Sequence, residues 1–296
     1  MCAGFGTRLR PLTDELPKPL VPVGDRSILE HALASLLAAG VDQLTINVHH
    51  LAEQFAPVLA CFPAEVRVVV ESDIRGTAGG VAGARAQLSG EKVVVWNGDV
   101  LVAPPLDQLL VRCEPHSFCF GVAPRPLGEG TVGLDAEGNV VRLRGERFGT
   151  EERGGDYVGV LTLGAGALAS LPEHGCYIGD AVLPLLRAGG RVRSVTVSTP
   201  WTDAGDLQSL LRANLDWLAA RGLGSFLGSG AELAAGVELR QALVGAGARV
   251  EGRGVLERCV VCPGATAVAP LSNAIVAPSG RVIDTPGKIR GGSTHV

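Results

Sequence analysis

Aromatic residues make up only 4% of this 296-residue chain, and charged residues only 19%. The net charge is −4, so the sequence carries no basic surplus that would draw a nucleic acid or an anionic membrane. No apolar run reaches the roughly 18 residues that a spanning helix needs. The N-terminus lacks the basic-then-apolar pattern of a secretory leader. Seven cysteines are scattered through the chain. Cys259 and Cys262 form a C-V-V-C pair, but no second pair and no nearby histidine accompanies it, so a zinc site has too few ligands. Buried thiols in a reducing cytoplasm are the expectation. Two phosphate-binding loops are also missing. No G-x-x-x-x-G-K-[ST] occurs, and Leu9 stands where a dinucleotide fingerprint wants its third glycine.

What is present is apolar and glycine-rich: 46% hydrophobic residues and 41 glycines, enough for a sizeable core with many tight loops. The densest motif is the first one, Ala3-Gly4-Phe5-Gly6-Thr7-Arg8-Leu9-Arg10-Pro11-Leu12-Thr13, followed by Pro17-Lys18-Pro19-Leu20. Two glycines one residue apart let backbone approach a ligand where a Cβ would collide. Successive N–H groups in such a loop make an anion-binding concavity. Arg8 can fork two phosphate oxygens, and Lys18 adds a point charge. Together they read as a cradle for a nucleotide's phosphates.

Beyond the loop, strands alternate with helices. Ser27 and Glu30 are spaced as a capping box ahead of a helix to Ala39, with Ile28, Leu29, Ala32, Leu33, Leu36 and Leu37 on one stripe. Short apolar runs at 44–48, 66–70 and 92–96 read as buried parallel strands. Residues 131–134 and 139–143 read as a hairpin, 156–163 as a strand, and 207–219 as a helix capped by Asp206. The pattern predicts a parallel sheet with helices on both faces. Gly76-Thr77-Ala78-Gly79 follows a strand and can lay backbone against a base or ribose. Asp99 ends the strand 92–96 in Asn97-Gly98-Asp99, where open α/β sheets bind ligands and where a carboxylate suits Mg²⁺. From about residue 223 the period changes. Val244-Gly-Ala-Gly-Ala, Val261-Cys-Pro-Gly-Ala and Val276-Ala-Pro-Ser-Gly recur 17 and 15 residues apart, as in degenerate hexapeptide coils of a left-handed β-helix.

The combination AGFGTRLRPLT…PKPLVPVG, N-G-D at 97–99 and Trp201-Thr202-Asp203-Ala204-Gly205 resembles the sugar-1-phosphate nucleotidylyltransferases, and most of all mannose-1-phosphate guanylyltransferase-like members. The resemblance covers Ala3 to about Ala220. It implies a doubly wound, mostly parallel, Rossmann-like nucleotidyltransferase domain at 1–222, then a short left-handed β-helix at 223–286 and a tail at 287–296. It also implies transfer of a nucleotidyl group from an NTP to a sugar 1-phosphate, giving NDP-sugar and pyrophosphate. Carried over by motif, Arg8 and Lys18 are catalytic. Ala3, Gly4, Gly6, Thr7, Gly76, Thr77 and Gly79 bind the nucleotide. Asp99 and Asp203 hold Mg²⁺, and Glu146, Arg147 and Gly159 face the sugar phosphate. Relatives have Glu-Lys-Pro where this chain has Glu146-Arg147-Phe148, a departure that keeps the charge but changes its geometry. Thr77-Ala78 leans towards GTP and mannose 1-phosphate, with uridylyl transfer left open.

In the family a buried strand precedes the glycine loop, whereas here the loop starts almost at Met1. A start assigned downstream of that strand is the expectation. Exposed coil ends allow a homodimer. Two further readings remain: a non-catalytic subunit that senses nucleotide sugars, and an acyltransferase β-helix, although that region holds only His295.

Overall fold

The computed structural model describes residues 1–285. The tail at 287–296, with His295, lies outside the described residues. The helix Ile28–Ala38 forms as the spacing predicts. The Glu30 N–H donates to Ser27 Oγ at 3.2 Å, and the Ser27 N–H donates to Glu30 Oε2 at 2.8 Å. These two bonds satisfy donors that a helix start leaves orphaned. Ile28, Leu29, Ala32 and Leu33 are buried, while Leu37 turns outward.

The central sheet is mixed, which corrects the mostly parallel expectation. The long strand Arg153–Gly164 pairs antiparallel with Lys92–Trp96 on one side and with Phe118–Arg125 on the other. Arg193–Thr196 adds in parallel to Phe118–Arg125. Three of the four strands therefore share a direction and one opposes them. The opposing strand follows the hairpin Val132–Leu134/Val140–Leu143 instead of a crossover helix, and an antiparallel partner needs no crossover. A separate parallel pair, Leu44–Val48 with Val66–Val70, stands beside this sheet.

Met1 and Cys2 lie between the pair and the sheet. The Met1 amine donates to Trp96 O at 2.8 Å, and the Gly98 N–H donates to Met1 O at 2.9 Å. On the other side the Cys2 N–H donates to Asn47 O at 3.1 Å. These bonds clamp the start of the glycine loop to two strand ends. Alongside the two residues, the strands Leu44–Val48 and Lys92–Trp96 line an apolar cavity of about 80 Å³ with Leu33 and Val81. The buried hydroxyl of Thr45, which also lines it, has no hydrogen-bond partner.

Asp206 caps the helix Leu207–Ala220 by accepting the Ser209 N–H at 2.8 Å. The buried face of this helix, with Leu210, Leu211 and Leu218, joins Leu9, Leu12 and Val21 of the opening segment to Leu243, Val260 and Ile275 near the C-terminus in one core. Trp217 meets Phe226 edge-on at 5.2 Å. The C-terminal strands pair in parallel with partners 17 residues on, as in Phe226↔Leu243, Val237↔Gly254 and Arg249↔Thr266. Among the described residues they make one seven-stranded sheet and not a closed solenoid. The last strand, Val282–Asp284, reverses and pairs antiparallel with Thr266–Val276, which ends the parallel stacking.

Candidate functional site

The opening loop is shaped by two glycines with different tasks. Gly6 has φ +63°, and a Cβ there would come within 2.9 Å of Thr13 Cγ2 and 3.0 Å of Lys18 Cβ. Its carbonyl accepts the Thr13 hydroxyl at 2.9 Å, so the loop closes on itself. A Cβ at Gly4 would meet nothing within 4 Å, and this residue lines the cavity. Leu9 and Leu12, both fully buried, anchor the segment in the core. Phe5, between the glycines, packs edge-on against His49 and His50 at 5.4 and 5.6 Å.

This loop forms one wall of a cavity of about 340 Å³, the size range of small-molecule sites. Ala3, Gly4, Gly6, Thr7, Arg8, Lys18, Gly76, Thr77 and Asp99 all line it. Nine of the fourteen sequence-predicted residues are therefore brought together, from three segments within residues 3–99, and Asp203 stands just outside the lining. Asp99 and Asp203 meet because the short strands Val100–Leu101 and Thr202–Asp203 pair antiparallel, with Asp203 opposite Val100. The Ala204 N–H also donates to Asp99 O at 2.9 Å. Lys18 Nζ lies 2.7 Å from Asp99 Oδ2 and 4.0 Å from Asp203 Oδ1. Arg8 stands 4.0 Å from Asp203 Oδ2. A Cβ at Gly205 would lie 2.8 Å from the Arg8 guanidinium, so the exposed cation rests close over the backbone there and would have to swing aside for a larger residue.

The electrostatics are balanced and partly buried. Lys18 is 9% exposed, whereas the Arg8 side chain is 64% exposed. Burial, and then the neighbouring Asp99 carboxylate, push the Asp203 carboxyl above its ordinary range, while Lys18 and Arg8 pull the other way. Two carboxylates face two cations. A polyphosphate that engaged Arg8 and Lys18 would leave Asp99 and Asp203 as adjacent uncompensated anions. A divalent cation fits that vacated pair, because Mg²⁺ takes one or two carboxylates and completes its shell with substrate phosphates and water. No cluster of three or more His, Cys, Asp or Glu able to hold a metal by itself exists among the described residues.

Other expected residues stand elsewhere. Gly79 is packed against Glu173, whose carbonyl oxygen would sit 2.3 Å from an added Cβ, so close packing accounts for this glycine. The Gly76-Thr77-Ala78-Gly79 motif forms the first turns of the helix Gly76–Gly83. Glu146 is paired with Arg187 through a 2.9 Å bond, and Arg147 is exposed on the same two-residue edge strand. Neither lines the cavity. Gly159 has φ +75°, and a Cβ would meet Val100 Cγ2 at 2.7 Å. It supports the Asn97-Gly98-Asp99 turn from below, its carbonyl accepting the Asn97 N–H at 2.9 Å. Among the lining residues to which the sequence assigned no role are Asn47, Glu71, Asn97 and Gly205. Glu71 is buried and accepts from Asn47 Nδ2 at 2.7 Å and from the Arg75 N–H at 3.1 Å. A carboxylate at a strand end was the visible signal for Glu71, whereas Asn47 reads only as a polar break in a strand.

The two cations are expected to differ in their structural weight. Lys18→Ala leaves the Asp99 carboxylate partly buried and unpaired, and should cost about 3 kcal/mol. Arg8→Ala should cost less than about 1 kcal/mol, as exposed pairs do. Urea unfolding of both variants checks the contrast. For Asp203 the raised carboxyl means that the folded chain binds its proton more tightly than the unfolded chain does. Its ionised form therefore costs stability at neutral pH, and the cost fades as pH falls to about 4, near the unfolded Asp value. Asp203→Asn is expected to melt at or above the wild-type Tm at pH 7, with the difference vanishing at low pH.

Known proteins place this geometry. The model of the Nucleotidyl transferase family matches residues 1–220. A mannose-1-phosphate guanylyltransferase of Mycobacterium tuberculosis is 26% identical over 297 aligned positions, covering 87% of this chain and 82% of that protein. Mannose-1-phosphate guanylyltransferase 1 of Arabidopsis thaliana is 36% identical over 123 positions, covering 39% of this chain but only 34% of the plant protein. Among solved structures, HddC from Yersinia pseudotuberculosis complexed with GMP-PN superposes with a TM-score of 0.62 at 17% identity, over 73% of this chain and 96% of that one, and so shares the fold. No helix among the described residues is long and apolar enough to cross a membrane. A glycine loop carrying Arg8 and Lys18, opposed by Asp99 and Asp203 within the matched span, agrees with that match: the chain belongs to the nucleotidyl transferase family and is a nucleotidyltransferase of the sugar-1-phosphate nucleotidylyltransferase kind.

Proposed function

We propose that the protein transfers a nucleotidyl group from an NTP to a sugar 1-phosphate, with GTP and mannose 1-phosphate as the preferred pair. The observation that carries this reading is the clustering of charge at one cavity, where Arg8, Lys18 and Asp99 line the wall and Asp203 stands beside them, 4.0 Å from both cations. Thr77 at the cavity wall, with Ala78 buried behind it, and the names of the relatives support the choice of substrates.

An oxygen of the sugar 1-phosphate attacks the α-phosphorus of the NTP. The bond from that phosphorus to the bridging oxygen of the β-phosphate breaks, and pyrophosphate leaves with the electron pair. The substrate is itself the nucleophile, so the protein contributes positioning and charge neutralisation. Arg8 and the backbone N–H groups around Gly4 and Gly6 hold the triphosphate and then the leaving pyrophosphate. Lys18 offsets the charge that grows on the α-phosphoryl oxygens. Asp99 and Asp203 would hold a divalent cation, Mg²⁺ in this reading, which when bound supplies further neutralisation of the phosphoryl charge. Glu71, fixed by Asn47 and the Arg75 N–H, stiffens the floor beneath the Gly76–Thr77 segment where the base lies.

The remaining sequence-level assignments belong to the same reading. Residues 1–222 serve as the catalytic unit in a reducing cytoplasm. The 17-residue ladders beyond it support short turns of a left-handed β-helix. Exposed Leu227, Leu233, Val268 and Val282 on that sheet support a homodimer.

Pyrophosphate release across four NTPs and a panel of hexose 1-phosphates tests the reaction. One base and sugar pair should dominate, chelation should silence it and Mg²⁺ should restore it. Asp99→Asn and Arg8→Ala should each fall by roughly 100-fold or more. Full activity in either variant contradicts the assignment, and nucleotide-sugar binding without any turnover favours the sensing subunit.

A further inference from the structure

A chain of three polar side chains ends at the cavity wall in Asn97 and has no part in the steps above. The Tyr157 and Tyr177 hydroxyls are 3.0 Å apart, and the Tyr177 hydroxyl is 3.0 Å from Asn97 Oδ1. The three residues come from the strand Arg153–Gly164, the turn ahead of the helical segment at Ile178, and the end of Lys92–Trp96. Each tyrosine is held independently. The Tyr157 ring packs on Phe120 with centroids 4.7 Å apart. Tyr177 is 4% exposed, and its N–H donates to Thr77 Oγ1 at 3.1 Å.

Counting protons along the chain sets its direction. The Tyr157 hydroxyl has one acceptor within reach, the Tyr177 oxygen, and donates to it. Tyr177 then has its own single proton for Asn97 Oδ1. The amide is thereby oriented, with Oδ1 towards Tyr177 and Nδ2 away from it. Nδ2 finds no acceptor among the described residues, while Asn97 lines the cavity two positions before Asp99. Gly159 protects this arrangement, since a Cβ there would stand 3.2 Å from Nδ2. The result is a neutral, pre-oriented double donor in the cavity wall, two residues before Asp99 and separate from the Arg8 and Lys18 cations in charge and chemistry. A neutral amide suits an acceptor oxygen of a sugar better than it suits the triphosphate, which already has Arg8 and Lys18.

We propose that Asn97 recognises the sugar 1-phosphate, donating from Nδ2 to a sugar oxygen, and that Tyr177 and Tyr157 are positioning residues that fix its amide. This inference rests on the nucleotidyl-transfer reading, and one set of titrations separates the two. Calorimetry compares GDP with GDP-mannose, and UDP with UDP-glucose, on wild type, Asn97→Ala, Asn97→Asp and Tyr177→Phe. Wild type should bind one nucleotide sugar more tightly than its diphosphate. Asn97→Ala should weaken that nucleotide sugar about tenfold, one lost hydrogen bond's worth, and leave the diphosphate unchanged. Asn97→Asp keeps the volume and the Tyr177 bond but removes both donors, so it should lose at least as much. Tyr177→Phe should lose less, in the same direction, with KM for the sugar 1-phosphate raised and KM for the NTP unmoved. Equal losses for diphosphate and nucleotide sugar, or no loss in any variant, overturn the role of Asn97 while leaving nucleotidyl transfer standing. Failure of wild type to bind either class overturns both.

Discussion

The Lys18 ammonium is the hinge of the molecule's charge. It is nearly buried, touches Asp99 directly and reaches towards Asp203, and so ties together residues 18, 99 and 203. A buried ammonium is costly unless paired. That cost acts as a constraint on everything around it. The segment Lys18–Leu20 has to sit beneath the glycine loop, the strand Lys92–Trp96 has to end at Asp99, and the helix Leu207–Ala220 has to start just after Asp203. A displacement of any one of these would strand a charge.

The same network explains why the site is poised for a highly charged ligand. Its cations and carboxylates are matched to one another, so phosphate binding is an exchange of partners and not a simple addition. In the proposed reaction, phosphates would displace carboxylates from Lys18 and Arg8, and the carboxylates would become available to a divalent ion. Glycines permit the exchange at two points where backbone must lie close. Gly6 folds the loop onto Thr13 and Lys18, and Gly205 lets the Arg8 guanidinium lie flat against the chain. The exposed Arg8 is free to move with the ligand, while Lys18 is not.

Beneath the loop the structure is continuous. Leu9 and Leu12 share a core with Leu210, Leu218 and Trp217 and with the C-terminal sheet. The glycine loop therefore rests on a base to which the last third of the chain contributes. A sheet stacked in parallel at a 17-residue spacing presents a regular wall of small apolar residues, such as Ala248, Ala265 and Ala267, against which that core packs.

Local chemistry was legible in the residues. The capping boundaries at Ser27 and Asp206, the hairpin around Asp135–Gly138 and the phosphate loop all follow from patterns a few residues long, since capping bonds, turn geometry and N–H alignment are short-range. Those patterns pointed to Arg8, Lys18 and Asp99, whereas Asp203 came from the resemblance to the family, and a recurrence at 17 and then 15 residues was visible beyond residue 223. Sheet direction was not, because Arg153–Gly164 carries the same apolar alternation whichever way it runs, and its polarity was decided by the hairpin that delivers it. The reasons for Gly79 and Gly159 lay in Glu173 and Val100, neighbours remote in sequence. Asn97 was read only as part of a turn until the fold placed Tyr177 against its amide oxygen. The sequence by itself determined which groups carry charge and where the backbone can bend. Only the tertiary structure decided which of them share a cavity, because long-range packing, and not local propensity, sets the distance between residues 18, 99 and 203.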